Sequence, residues 1–161
     1  MLVPFDTLPD NARIWIYPAS RAFTAEEKKI VTEQLSTFLT QWSAHGQSLT
    51  AGFDLPYNQF IVIGLDEQSQ AATGCSIDAS VHLIQSIEQL LEIHLLDKMN
   101  VCYRQDNQLH YTDLKAFRKL AKTPTISPKT IVFNNLVVNK AEYEANWEVP
   151  AHASWHSRFI K

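Results

Sequence analysis

An α+β fold is predicted by three features of the sequence: two short segments apolar on both faces, two long stretches with apolar residues at helical spacing, and the order in which they alternate. Arg13-Ile14-Trp15-Ile16-Tyr17 is β-branched and aromatic and is closed by Pro18, so it reads as a central strand. Thr24-x-x-Glu27 matches a capping box, followed by Val31, Leu35, Phe38, Leu39 and Trp42 at helical spacing, with Gly46 placed to end the helix. Leu49, Ala51, Phe53 and Leu55 alternate with smaller or polar residues, as in a half-buried strand. Pro56-Tyr57-Asn58 then turns the chain into the fully apolar Phe60-Ile61-Val62-Ile63. Val81, Ile84, Ile87, Leu91 and Leu95 mark a second helix face, and Met99 to Arg104 a fourth strand. Strand, helix, strand, strand, helix, strand is the ferredoxin-like βαββαβ order, whose first and third strands are central. Those are the two segments apolar on both faces.

A C-terminal extension follows this core. Gln105 to Gln108 reads as a polar turn leading to a hairpin partner at Leu109 to Thr112, and Asp113 to Lys122 as a helix carrying Leu114, Phe117 and Leu120. Thr123-Pro124 stops that helix. Thr130 to Phe133 has strand character, and Asn139-x-x-Glu142 is placed to cap a short helix through Trp147. Trp155 and Phe159 predict a tail that lies against the core.

With 161 residues, 45% of them hydrophobic, the chain is expected to form a single α+β domain over 1–161. A net charge of -3 without a Lys/Arg run lacks the footprint of a general nucleic-acid binder. The longest strongly apolar run, Phe60 to Ile63, is too short for a signal peptide or a membrane span, so a soluble cytoplasmic protein is expected. Cys75 and Cys102 form no Cys-x-x-Cys pair, which argues for two free thiols over a disulfide scaffold or a zinc site. No pattern calls for a cofactor.

Chemistry-bearing residues concentrate between Ala71 and Ser80, ahead of the second helix. Gly74, Cys75, Ser76 and Asp78 fall where helix N–H groups are unpaired and the macrodipole is positive, which suits a small anionic ligand or an activated thiolate; the same residues also suit a helix cap. In a βαββαβ fold the first helix ends and the second begins at one edge of the sheet, which would let His45 face Cys75. Cys75 with His45 as base is the minimum set for nucleophilic catalysis, and Asp78 or Asp66 could orient the ring. His152 and His156 would align as metal ligands if the tail were helical, and Asp66-Glu67 could join Asp78 around a divalent cation. A solvated strand exit explains the acidic pair equally well, and no metal site is expected. Trp42, Trp147 and Trp155 could line a pocket, though core positions account for them too.

Trp42-x-x-His45-Gly46, the Asp66-Glu67 strand exit, Gly74-Cys75-Ser76-Ile77-Asp78 and the tail Ser154-Trp155-His156 together resemble a small uncharacterised bacterial family whose members often carry the label "ABC transporter ATPase". The resemblance covers nearly the whole chain and implies no catalytic residue. The label conflicts with the chemistry: a Walker A loop needs a lysine directly after its second glycine, and none of Gly46, Gly52, Gly64 and Gly74 is followed by lysine. Two function classes result. The first is a non-enzymatic module binding a partner protein or a small anionic ligand at Gly74 to Asp78; the second is a cysteine-dependent enzyme or thiol sensor using Cys75.

Overall fold

The computed structural model describes residues 1–160 and has the expected α+β character, with strands in antiparallel sheets. The chain divides into two compact units, Met1–Leu96 with Val138–Ala141, and Asp97–Val137 with Glu142–Lys161.

The first unit is built on strand β1 (Arg13–Pro18), helix α1 (Ala25–Gln41), the two-residue strands β2 (Ser43–Ala44) and β3 (Gln47–Ser48), strands β4 (Thr50–Asp54) and β5 (Phe60–Asp66), and helix α2 (Gly74–Leu91). β1, β5 and β4 form an antiparallel sheet in that order, with Trp15 opposite Ile63 and Phe53 opposite Ile63 on the other side. β5 is buried along its length to Leu65 because both its faces are covered. Ile61, Ile63 and Leu65 pack with Val31, Leu35 and Leu39 of α1 and Ile84, Ile87 and Leu91 of α2. On the opposite face the segment around Phe5 and Leu8 approaches so closely that a Cβ at Gly64 would lie 2.6 Å from Leu8 Cδ1. Lys140, almost fully buried, fixes that segment by donating from Nζ to the carbonyls of Asp6 (3.0 Å) and Leu8 (2.7 Å).

Sheet order β1-β5-β4 is that of the first three strands of a ferredoxin-like core; the fourth expected strand goes elsewhere. The outer edge of β1 is instead met by residues 138–140, with Ile14 N–H donating to Val138 O (3.0 Å) and Lys140 N–H to Ala12 O (2.9 Å). The second unit takes the missing strand, β6 (Asn100–Gln105), and pairs it with β7 (Gln108–Asp113) across the two-residue turn Asp106-Asn107, where both φ angles are positive. A turn of this kind closes a hairpin at minimal loop entropy and gives a strand a neighbour before any distant edge can.

β8 (Ile131–Phe133) and β9 (Glu148–Pro150) complete the second sheet in the order β7-β6-β8-β9. Helix α3 (Leu114–Leu120), capped by Asp113 Oδ1 accepting from Ala116 N–H (2.7 Å), buries Phe117 among Val101, Tyr103, Val132 and Val149. Short helix α4 (Lys140–Asn146) lies where Asn139-x-x-Glu142 predicted it. The tail forms two 3-10 turns, Ala151–Ala153 and Trp155–Phe159, and Trp155 and Phe159 pack against this core as expected.

Candidate functional site

The first turn of α2 is held by a reciprocal cap. Thr73 Oγ1 accepts from Ser76 N–H (3.1 Å), and Ser76 Oγ accepts from Thr73 N–H (2.8 Å) while donating to Thr73 O (2.9 Å). Ser76 is thereby buried and committed to the cap, whereas Gly74, Cys75 and Asp78 are exposed. The two thiols differ as burial dictates: Cys75 is open to solvent, and Cys102 is buried in β6, where desolvation pushes its pKa up to about 12. Cys75 is expected to alkylate faster than Cys102 in the folded protein, measured by iodoacetamide labelling and mass spectrometry. Equal rates would mean that the two thiols do not differ in accessibility.

His45 lies in a hairpin turn beyond the end of α1. α1 stops at Gln41, and His45-Gly46 forms the turn of the β2-β3 hairpin with φ angles of 51° and 75°. Both central positions of such a turn require a left-handed backbone, so Gly46 serves the hairpin and not the end of the helix. Among the described residues neither the His45 nor the Cys75 side chain has a hydrogen-bond or ion-pair partner, so the two are not hydrogen-bonded to each other. Asp66 Oδ1 accepts from Gln68 N–H (3.0 Å) and Glu67 Oε2 from Ala72 N–H (2.9 Å), each shaping the loop into α2.

What joins the hairpin to α2 is Trp42. Its indole Nε1 donates to Ser76 O (2.8 Å) in a buried bond, and its ring meets Phe38 and Trp15 at centroid distances of 5.6 and 6.0 Å. Beside this bond runs a groove of about 660 Å³ between the C-terminal half of α1 and the N-terminal half of α2. Phe38 and Trp42 give it aromatic area, Ala79 and Leu83 line it from α2, and Glu33, Gln34, Thr37, Gln41 and Ser43 supply polar groups. Cys75 is four residues before Ala79 and eight before Leu83, which places it on the same helical stripe at the end of the groove.

Sequence reasoning placed Trp42 among possible pocket residues and did not identify the groove. A signal was present in the charges. Residues 30–97 contain eight acidic residues and no lysine or arginine, while residues 114–141 contain six lysines and arginines and no acidic residue. The first unit accordingly carries eleven acidic against five basic residues, and the second six against nine.

The histidine pair of the tail is not aligned for a metal: His152 is exposed in one 3-10 turn and His156 is fully buried in the next. Ser154 Oγ lies 2.8 Å from His156 Nδ1, the ring stacks on Trp155 at 3.8 Å and meets Phe117 edge-on at 5.7 Å. Among the described residues no group pairs with His156 Nε2 or Trp155 Nε1, and burial lowers the imidazole pKa to about 4. The serine therefore orients a core histidine; full burial denies this pair a substrate. Trp147 is likewise core, with Nε1 donating to Asn135 Oδ1 (2.8 Å).

No described helix is long and apolar enough to cross a membrane. No family model, curated protein or solved structure matches the chain.

Proposed function

We propose that the chain is a non-enzymatic binding module that receives a basic segment of a partner protein in the groove between α1 and α2, at the edge carrying Gly74 to Asp78. The observation that carries this reading is the groove's lining: an aromatic floor of Phe38 and Trp42, four neutral polar side chains, one carboxylate from Glu33, and no cation. Its volume is that of an ordinary ligand pocket, roughly 300–1,000 Å³. Charge complementarity selects the occupant, because the 68-residue stretch from 30 to 97 that supplies the lining carries only negative formal charge. For the same reason a partner is favoured over a small anion at the α2 start. Two exposed residues there, Gly74 and Cys75, leave N–H groups open, but Glu67 accepts from Ala72 N–H just before the stretch and Asp78 lies within it, two carboxylates beside any anion. The ferredoxin-like reading is kept for the three strands and two helices of the first unit, and the resemblance to the bacterial family adds a name without an activity.

A second reading, a thiol sensor at Cys75, rests on the exposure of that thiol at the groove's end. The enzyme form of this reading loses support from the absence of a Cys75–His45 bond.

Titrating the 15N-labelled protein with a short arginine- and tryptophan-containing peptide should shift amide signals in residues 33–43 and 75–83. The same peptide with glutamate for arginine should leave them in place. Thr37→Arg, at an exposed position of the lining, should abolish the shifts by placing a cation in the groove. Equal responses to both peptides would reject charge-selected binding, and shifts elsewhere would reject the groove.

A further inference from the structure

The second unit holds a separate pocket of about 220 Å³, lined by Arg118, Lys122, Arg158, Phe159 and Ile160. Arg118 and Lys122 come from the end of α3 and the turn after it, and Arg158 from the 3-10 turn Trp155–Phe159 some forty positions later. Folding thus brings three like charges to one concavity. Cations in a last helical turn alone would be accounted for by the helix's own carbonyls. Arg158 belongs to another element, so the carbonyls of α3 do not account for its place in the same pocket. Among the described residues none of the three cationic side chains has a carboxylate or any other hydrogen-bonding partner, and no acidic side chain occurs in 114–141 or 149–160, the segments that hold the lining residues. The guanidinium of Arg118 is held over the Phe159 ring with its carbon 5.6 Å from the centroid, which positions a planar fork of donors at the pocket wall.

We propose that this pocket binds a phosphate group, with Arg118 and Arg158 as forked donors and Lys122 as a point charge. Guanidinium groups that line one pocket without a counter-ion repel each other, and a dianion with several acceptor oxygens relieves that repulsion while satisfying the forks. Size selects the ligand class: the pocket is smaller than the roughly 300 Å³ lower bound for drug-sized ligands, so it takes a phosphomonoester or pyrophosphate group and leaves the rest of the molecule outside. Phe159 and Ile160 offer that remainder an apolar rim. The site is independent of the groove in the first unit.

The test uses the 15N-labelled full chain, following the side-chain Nε–H signals of Arg118 and Arg158 while sodium phosphate and then pyrophosphate are added at constant ionic strength. Saturable shifts of both signals are expected, and Arg118→Gln with Arg158→Gln should weaken binding about tenfold or more. Lys115→Gln with Lys129→Gln removes the same charge from outside the pocket and should change affinity by no more than about twofold. Melting curves of both double variants confirm folding. Sedimentation with phosphatidylcholine vesicles, with and without phosphatidate, identifies the source of the phosphate. Saturation by pyrophosphate with retention only on phosphatidate vesicles marks a lipid headgroup, and saturation without retention marks a soluble ligand. Shifts that grow linearly with salt, equal losses in the two double variants, or vesicle retention without pyrophosphate saturation would each overturn the proposal.

Discussion

Replacing Trp42 by alanine is expected to lower the midpoint of thermal unfolding by on the order of 10 °C. The side chain is buried, meets Phe38 and Trp15, and carries the single hydrogen bond that ties its indole to the first turn of α2. Truncating a buried tryptophan costs about 3–5 kcal/mol, and each kcal/mol is worth about 2–4 °C in a chain of this size. Trp42→Phe separates the two contributions. It keeps an aromatic ring among Phe38 and Trp15 but removes the donor to Ser76 O, which should cost about 1–3 kcal/mol for a buried carbonyl left without its partner. Differential scanning calorimetry of the two variants distinguishes packing from bonding. If Trp42→Ala melts within about 2 °C of the parent protein, the contact between the hairpin and α2 is not a structural element, and the groove it borders has no fixed wall.

The residues that bear this contact also show where sequence reasoning reaches its end. Periodicity located α1 and α2 because Val31, Leu35 and Leu39, and Ile84, Ile87 and Leu91, repeat at helical spacing on the buried side. It identified β5 as central because a strand covered on both faces has no polar alternate positions. Gly46 belongs to the hairpin and not to the end of α1, since a glycine after an apolar-periodic run suits a helix C-terminus and a hairpin turn equally well; the deciding quantity, a positive φ at His45 as well, is not a composition signal. The fourth strand was recognised as a strand and assigned to the wrong sheet. Local patterns specify which residues extend, and the neighbour is settled by distant segments: β8 takes the second edge of β6, and residues 138–140 take the outer edge of β1.

Site residues followed the same division. Gly74, Cys75 and Asp78 lie at the start of α2, as their order along the chain implies, and the structure adds that they are exposed, but Ser76 is spent on the cap, and His45 is not hydrogen-bonded to the thiol. Spacing along a chain fixes a helical stripe and says nothing about reach between separate elements. The segregation of charge between residues 30–97 and 114–141 was legible throughout. A whole-chain net charge of -3 conceals it, because the two units offset each other.

Acid should destabilise the second unit through His156. The imidazole is fully buried against Trp155 and Phe117, and burial lowers its pKa to about 4 from an ordinary value near 6.5. Above pH 6.5 the ring is neutral whether the chain is folded or unfolded, and this group contributes no pH dependence. As the pH falls from 6.5 towards 4 the unfolded chain takes up a proton that the folded ring resists, so stability is lost across that window and levels off below it. The full difference corresponds to about 3 kcal/mol, an order-of-magnitude figure. Urea unfolding of the full chain at pH 7 and at pH 4.5, followed by tryptophan fluorescence, should show a lower midpoint in acid. His156→Phe keeps an aromatic ring on Trp155 and removes the titrating group. It should cost some stability at pH 7, where Ser154 Oγ loses its partner, and should flatten the acid limb. A midpoint that falls equally in the parent protein and in His156→Phe would assign acid sensitivity to the carboxylates, among them Glu27, whose pKa is lowered to about 2 chiefly by its hydrogen bonds to Arg21 and whose contribution fades as the pH falls below its ordinary value towards 2.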